Sequence, residues 1–167
     1  MITIVTAVDI TVRAAPEAVY DLVSVPDNWP EIIPSSQWVE GDTHRSVGVG
    51  ARFTDHILDP IGGTAAALDY VVRRAERAKV LEFEAEKPFG RTYFTYSVTY
   101  TFELVAAGTV FRRTARTGYP EQHPLPRQIL NGALDEPTHG RLYLENVKRK
   151  LDGDPVRSPA GGERMWE

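Results

Sequence analysis

Two charged residues occupy strand positions whose alternate neighbours are mainly apolar. In residues 109–117 the less polar alternating set holds Arg113, which predicts an inward guanidinium. In residues 49–58 the more apolar set holds Asp55, which predicts an inward carboxylate. The guanidinium of Arg113 has several N–H donors that can bind a carbonyl or enolate oxygen. The carboxylate of Asp55 can act as a general base. We therefore predict both as catalytic residues.

The same pattern leaves two alternatives open. Because an inward charge is costly unless it is paired or solvated, Arg113 and Asp55 can instead form a structural ion pair. A strand register displaced by one residue moves every side chain to the opposite face of the sheet. In that case Arg112 and Arg116 are the inward cations.

Tyr96 is the third predicted catalytic residue, because a phenol on an inner face can donate a hydrogen bond to a ligand oxygen. Tyr70 and Tyr100 lie on predicted inner faces too. Aromatic residues on a cavity wall often serve packing alone, which is the favoured interpretation of Tyr100. Both interpretations stay open for Tyr96.

The predicted ligand contacts are mainly aromatic side chains. Trp29 lies in a short helix, where ligand contact and a role as a core anchor are both open. His139 follows Asp135 by four residues at a helix start, where the two can form an acid–base pair, although a carboxylate there is more commonly a cap. The predicted ligand-binding residues are Trp29, Phe53, Tyr70, Phe83, Phe94, Phe111, His139 and Tyr143.

Composition excludes several kinds of site and partner. The absence of cysteine excludes disulfides, iron–sulfur clusters and cysteine nucleophiles. The histidines lack metal-ligand spacing, so we predict no metal and no other cofactor. A formal net charge of −4 gives no electrostatic reason to expect nucleic acid. The chain lacks both a long apolar run and a basic leader, so we expect no membrane insertion and a cytoplasmic location.

A hairpin over residues 92–117 carries the strongest structural pattern. Residues 92–104 alternate between aromatic or β-branched residues and polar residues, which is typical of a half-buried strand. Its length of about 40 Å predicts a sheet that bends. Ala106-Ala107-Gly108 predicts a tight turn before the second strand, 109–117.

The other elements follow in a simple order. Alternation predicts a first strand over 2–12 with its even residues inward, and prolines then mark two short helices. Four further strands lead to the hairpin. A helical turn over 127–134 and a long helix from 135 to 151 complete the domain, and residues 152–167 are predicted to be a disordered tail.

This order resembles the START-like, Bet v 1-like superfamily, and within it the polyketide cyclase/dehydrase and lipid-transport group. The residues that carry the resemblance are Ile10–Tyr20, Asp27–Pro30 with Ile33-Pro34, Val47–Ala51 and the Gly108-Thr109 hairpin. The resemblance implies an α+β helix-grip fold over residues 1–151, in which a seven-stranded curved antiparallel sheet wraps around the long C-terminal helix.

The resemblance also implies a function. The expected ligand is a large hydrophobic or polyketide-like small molecule in an internal cavity. The enzymatic alternative is an aromatase/cyclase of polyketide biosynthesis, and the non-enzymatic one is a carrier, sequestering or self-resistance protein for a lipid or natural product. A module that presents its sheet to a protein partner is a third alternative. Because one fold hosts many functions, these alternatives stay open at this point.

Overall fold

A single antiparallel sheet dominates the computed structural model, which describes residues 1–58, 63–87, 94–135 and 137–154. The sheet has seven strands in these residues, in the order β1-β7-β6-β5-β4-β3-β2. The strands are β1 Ile2–Val12, β2 Ser36–Gly41, β3 Arg52–Leu58, β4 Ala65–Glu76, β5 Val80–Ala85, β6 Thr95–Val105 and β7 Gly108–Tyr119. The predicted helix-grip fold is confirmed.

Four helices accompany the sheet in the described residues. Helix α1 spans Pro16–Val23, and a single 3₁₀ turn over Pro26–Asn28 leads into α2, Trp29–Ile32. Helix α3 spans Arg127–Leu134, as predicted, and α4 spans Thr138–Asp152. The tail predicted from residue 152 onward lies outside the described residues beyond Asp154.

Two details of the helix starts differ from expectation. Pro137 precedes α4 as its capping residue instead of lying inside its first turn. Asp27 and Asn28 are residue types that commonly cap a helix, but neither side chain caps α2: the Asn28 amide donates to the Leu22 carbonyl at 2.9 Å, and Asp27 is bound by His44. The Leu22 carbonyl, six residues away, binds Asn28, and His44, seventeen residues away, binds Asp27, so other groups compete for both side chains.

The hairpin β6–β7 has the predicted turn and inner face, with one exception. Phe94, Val98, Tyr100 and Phe102 are buried, whereas Leu104 is 73% exposed although its parity predicted an inward side chain. Leu104 lies beside the turn of the hairpin, whereas its cross-strand partner Thr109 is fully buried and donates a hydrogen bond of 2.7 Å to the Ala14 carbonyl. At the turn, Gly108 has φ +133, and a Cβ there would lie 2.1 Å from the Val12 carbonyl oxygen, so only glycine fits.

Helix α4 crosses the concave face of the sheet with one apolar side inward. Its buried residues include Gly140, Tyr143, Leu144 and Val147, whose spacing puts them on one side of the helix. Gly153 ends the helix with a left-handed φ of 78. A second, smaller cluster of Phe94, Tyr119 and Leu130 attaches α3 to the sheet beside the start of α4.

Candidate functional site

A cavity of about 150 Å³ lies between the concave face of the sheet and the helices. Strands β1 and β3–β7 form its walls, α2 contributes Trp29, and the α3–α4 junction covers it with Leu134, Pro137, His139 and Gly140. Most of the lining side chains are apolar or aromatic. Drug-sized ligands occupy pockets of roughly 300–1,000 Å³. The cavity is therefore smaller than the resemblance led us to expect.

Arg113 faces this cavity from the middle of β7. Its backbone lies opposite Val8 of β1 and Tyr100 of β6. The guanidinium donates a hydrogen bond to the hydroxyl of Tyr96. The neighbouring Arg112 instead pairs with Asp9 at 3.0 Å, and both of those side chains are about half exposed. The register of β7 is therefore the one that puts Arg113 inward.

The ion pair between Arg113 and Asp55, left open as an alternative by the sequence, does not form. The buried Asp55 carboxylate accepts a hydrogen bond of 2.6 Å from the Ser36 hydroxyl. Within the described chain, no carboxylate is close enough to form an ion pair with Arg113. The reason is the position of the strands: β3, which carries Asp55, and β7 are separated by three other strands of the sheet.

Burial changes the ionisation of Asp55. Desolvation raises the pKa of its carboxyl from 3.8 to about 6, while the Ser36 hydrogen bond and His56 act in the opposite direction. The group is mostly ionised at pH 7 and takes up a proton close to neutrality. A carboxylate with such a pKa can both accept and return a proton.

Four tyrosines surround the cavity near Arg113: Tyr70, Tyr96, Tyr100 and Tyr143. Burial raises the pKa values of Tyr70, Tyr100 and Tyr143. These phenols therefore remain protonated and can donate hydrogen bonds. The charges of both Asp55 and Arg113 influence Tyr70 and Tyr100, which lie between the two charged groups.

His139 lines the cavity from the first turn of α4. Burial, and then the positive charge of Arg113, lower the pKa of its imidazole to about 4, so it is neutral at pH 7. Its Nδ1 atom is buried and has no hydrogen-bond partner in the described residues. Neither alternative for Asp135 is found: it forms no acid–base pair with His139 and does not cap α4, but ends α3 and accepts a hydrogen bond from the Thr6 hydroxyl at 3.5 Å.

Six of the eight predicted ligand contacts line the cavity, and two lie behind its wall. Phe53 packs against Trp29 with ring centroids 5.1 Å apart, and Phe111 packs against Tyr100 at 5.3 Å. Strand parity correctly predicts the face of both residues, but the cavity occupies only part of that face. The six that line it are Trp29, Tyr70, Phe83, Phe94, His139 and Tyr143.

Trp29 combines both interpretations that the sequence left open. Its indole N–H donates to the Val23 carbonyl at 2.9 Å, and the ring packs on Phe53 and Phe83, which makes it a core anchor. Its side chain also forms part of the cavity wall.

Sequence reasoning missed two residues that shape the site. Ser36 binds Asp55, but a serine at the start of a short strand with a bulge gives no sign of that partner. Gly140 lies above Arg113: a Cβ there would be 3.4 Å from Nη1 of Arg113 and 3.1 Å from Cγ2 of Val8. Glycine on the buried stripe of an amphipathic helix was the available signal for such a close approach.

Two kinds of feature are absent from the described residues. No group of three or more histidine or acidic side chains is arranged to hold a metal ion in the described ranges. None of the described helices is long and apolar enough to cross a membrane.

Comparison with solved structures supports the fold. A START superfamily protein from Mycobacterium smegmatis is 13% identical, with a TM-score of 0.66, over 89% of this chain and 98% of that one. Ara h 8.0201 is 11% identical, with a TM-score of 0.63, over 91% and 99%. DynU16, from the dynemicin biosynthetic locus, is 19% identical, with a TM-score of 0.56, over 92% of this chain and 49% of that one.

Comparison of the sequence itself places the chain in a family. No curated protein matches this sequence. The family model described as polyketide cyclase / dehydrase and lipid transport matches residues 1–152, which include every element of the sheet and helix α4. The chain therefore belongs to the polyketide cyclase/dehydrase and lipid-transport family.

Proposed function

We propose that the cavity binds a hydrophobic small molecule that carries carbonyl oxygens, and that it catalyses cyclisation and dehydration of this molecule. The observation that carries this proposal is the inward guanidinium of Arg113, bound to Tyr96 and without a carboxylate partner in the described chain. The family description and the biosynthetic locus of DynU16 support the class of chemistry.

Asp55 and Arg113 have complementary roles in this proposal. The Asp55 carboxylate removes a proton from one end of a chain with carbonyls at alternate carbons. Arg113, which three strands separate from Asp55, acts together with Tyr96 and stabilises the negative charge that conjugation delocalises onto a carbonyl oxygen farther along the chain. The enolate carbon attacks a second carbonyl of the same molecule, which forms the carbon–carbon bond of the ring. The alkoxide produced by this attack takes the proton back from Asp55.

Dehydration uses the same two groups. Asp55 removes a second proton next to the remaining carbonyl, and Arg113 again stabilises the enolate. Collapse of the enolate expels the hydroxyl group, which leaves as water with the proton from Asp55. The cavity volume of about 150 Å³ suits a product of one six-membered ring.

Carriage without chemistry is the second candidate function. It is favoured by the mainly apolar and aromatic lining, which suits binding of a hydrophobic molecule with few polar contacts. A carrier needs the cavity but not the proton transfer at Asp55.

One substitution distinguishes the two functions. The probe is a linear seven-carbon triketone with carbonyls at alternate carbons, whose cyclisation with loss of one water gives methylresorcinol. An enzyme forms this product, detected by chromatography, and Asp55→Asn abolishes its formation while the probe still binds. Asp9→Asn, on the exposed face of β1, is the control and retains activity. Binding without any product in the wild-type protein contradicts the enzymatic proposal and supports carriage.

A further inference from the structure

The size and charge of the cavity restrict its ligand more closely than the family does. A cavity of about 150 Å³ lined by apolar side chains in another protein holds benzene. The present cavity has the same volume, about 150 Å³. This volume fits a ligand of about one-ring size and is smaller than that of a pocket for a drug-sized ligand.

The polar groups around Arg113 are suited to negative charge. An arginine side chain stays protonated in proteins and has five N–H donors, of which Tyr96 accepts one in a described contact. The nearby phenols of Tyr70, Tyr100 and Tyr143 are protonated, since burial raises their pKa values. None of these three groups adds a negative charge that would neutralise the guanidinium.

Helix α4 adds two further features on the same side of the cavity. The imidazole of His139 is neutral and has an unpartnered buried Nδ1, which can donate to a ligand oxygen in the tautomer that carries the proton there. His139 and Gly140 lie in the first turn of α4, where the helix dipole is positive. Gly140 also leaves the space in which the guanidinium lies.

We infer that the cavity is a receptor for an organic monoanion of one-ring size, whose carboxylate or phenolate oxygen is bound by Arg113 with Tyr96 and His139. The inference rests on the proposed binding of a small hydrophobic molecule in this cavity and specifies its charge and size. The ring of the ligand lies against the apolar wall formed by Phe83, Phe94 and Val98. Asp55 lies in another part of the wall, on β3, and holds its negative charge away from the Arg113 side.

Calorimetry with benzoate and with its neutral counterpart benzamide tests the charge of the ligand. We expect the wild-type protein to bind benzoate about tenfold more tightly than benzamide, because a hydrogen bond to a charged group is stronger than a neutral one. Arg113→Met should remove this preference by weakening benzoate binding more than benzamide binding, because benzamide loses only a neutral acceptor's hydrogen bond. Arg112→Met is the matched control, since Arg112 lies next in the same strand with its side chain on the outer face, and it should retain the preference.

Para-nitrophenol distinguishes a phenolate ligand from a carboxylate ligand, because its absorbance reports its own ionisation. If phenolates are preferred, the bound probe ionises at a lower pH than in water, and Arg113→Met abolishes this difference. Arg113→Lys is the second variant in case the methionine variant does not fold. Lysine keeps the positive charge but lacks the paired N–H donors of the guanidinium, so this variant should retain a reduced preference for benzoate.

The inference and the proposed function fail in different ways. Equal binding of benzoate and benzamide, or a benzoate preference that survives in Arg113→Met, overturns the anion receptor while binding in the cavity stands. Tighter binding of a larger fused-ring acid than of benzoate overturns the size limit. Failure to bind any of these probes overturns both proposals.

Discussion

Asp55→Asn is expected to stabilise the protein at neutral pH, in contrast to most substitutions of buried residues. Burial raises the pKa of the Asp55 carboxyl from 3.8 to about 6. At about 1.4 kcal/mol for each pKa unit, ionised Asp55 lowers the free energy of unfolding by about 3 kcal/mol. Asparagine carries no charge, and its carbonyl oxygen can accept the same hydrogen bond from Ser36.

The sign of the pH dependence follows from the raised pKa. The folded protein binds the proton more tightly than the unfolded chain, so protonated Asp55 is fully favourable to folding below about pH 4. That contribution is lost as the pH rises through about 6 and is absent above it. The advantage of Asp55→Asn should therefore be near zero at pH 4 and reach about 3 kcal/mol above pH 7.

Urea unfolding at several pH values, followed by circular dichroism, measures this difference. Asp9→Asn is the control, because Asp9 is an exposed residue paired with Arg112, and its substitution should change stability by less than about 1 kcal/mol at every pH. If Asp55→Asn destabilises the protein equally at pH 4 and pH 7.5, ionised Asp55 is not unfavourable. The reasoning from burial is then wrong.

Three further predictions test the cavity, the guanidinium and the domain boundary. Ala115→Leu places a larger side chain in the cavity wall and should abolish benzoate binding measured by calorimetry. Thr114→Leu, on the opposite face of β7, should leave benzoate binding unchanged. Equal effects of the two substitutions would contradict binding inside the cavity. Gly140→Ala puts a methyl group 3.4 Å from Nη1 of Arg113 and should weaken benzoate binding severalfold. Its melting temperature should change little, because the better helix propensity of alanine, about 1 kcal/mol, offsets the cost of the crowding. Unchanged affinity for benzoate would show that the position of the guanidinium does not depend on this space. Removal of the residues after Asp154 should leave the melting temperature within about 1 °C of the full chain, because residues 155–167 show no apolar periodicity, and a loss of several degrees would place part of the fold in them.

Local patterns in the sequence were sufficient to predict the elements and the inner faces. Strand alternation depends only on the pleat, whose period is two residues, so the inward sides of β1 and β7 follow from the order of residue types. The same reasoning puts Arg113 inward and Arg112 outward, and the structure agrees. The family resemblance added the topology, which periodicity alone does not specify.

Contacts between distant elements were decided only by the tertiary structure. The curvature of the sheet and the position of α4 determine how much of the inner face borders the cavity, which is why Phe53 and Phe111 lie behind its wall. They also determine its small volume.

The hydrogen-bond partners of the charged groups were also decided only by the tertiary structure. Arg113 binds Tyr96 and Asp55 binds Ser36, whereas the sequence suggested that the two charges could pair with each other. Residue types and parity show that a charge points inward, but the identity of its partner depends on distances between strands that are remote in sequence. Those distances are set by the curvature of the whole sheet and by the packing of α4 against it, which no local pattern encodes.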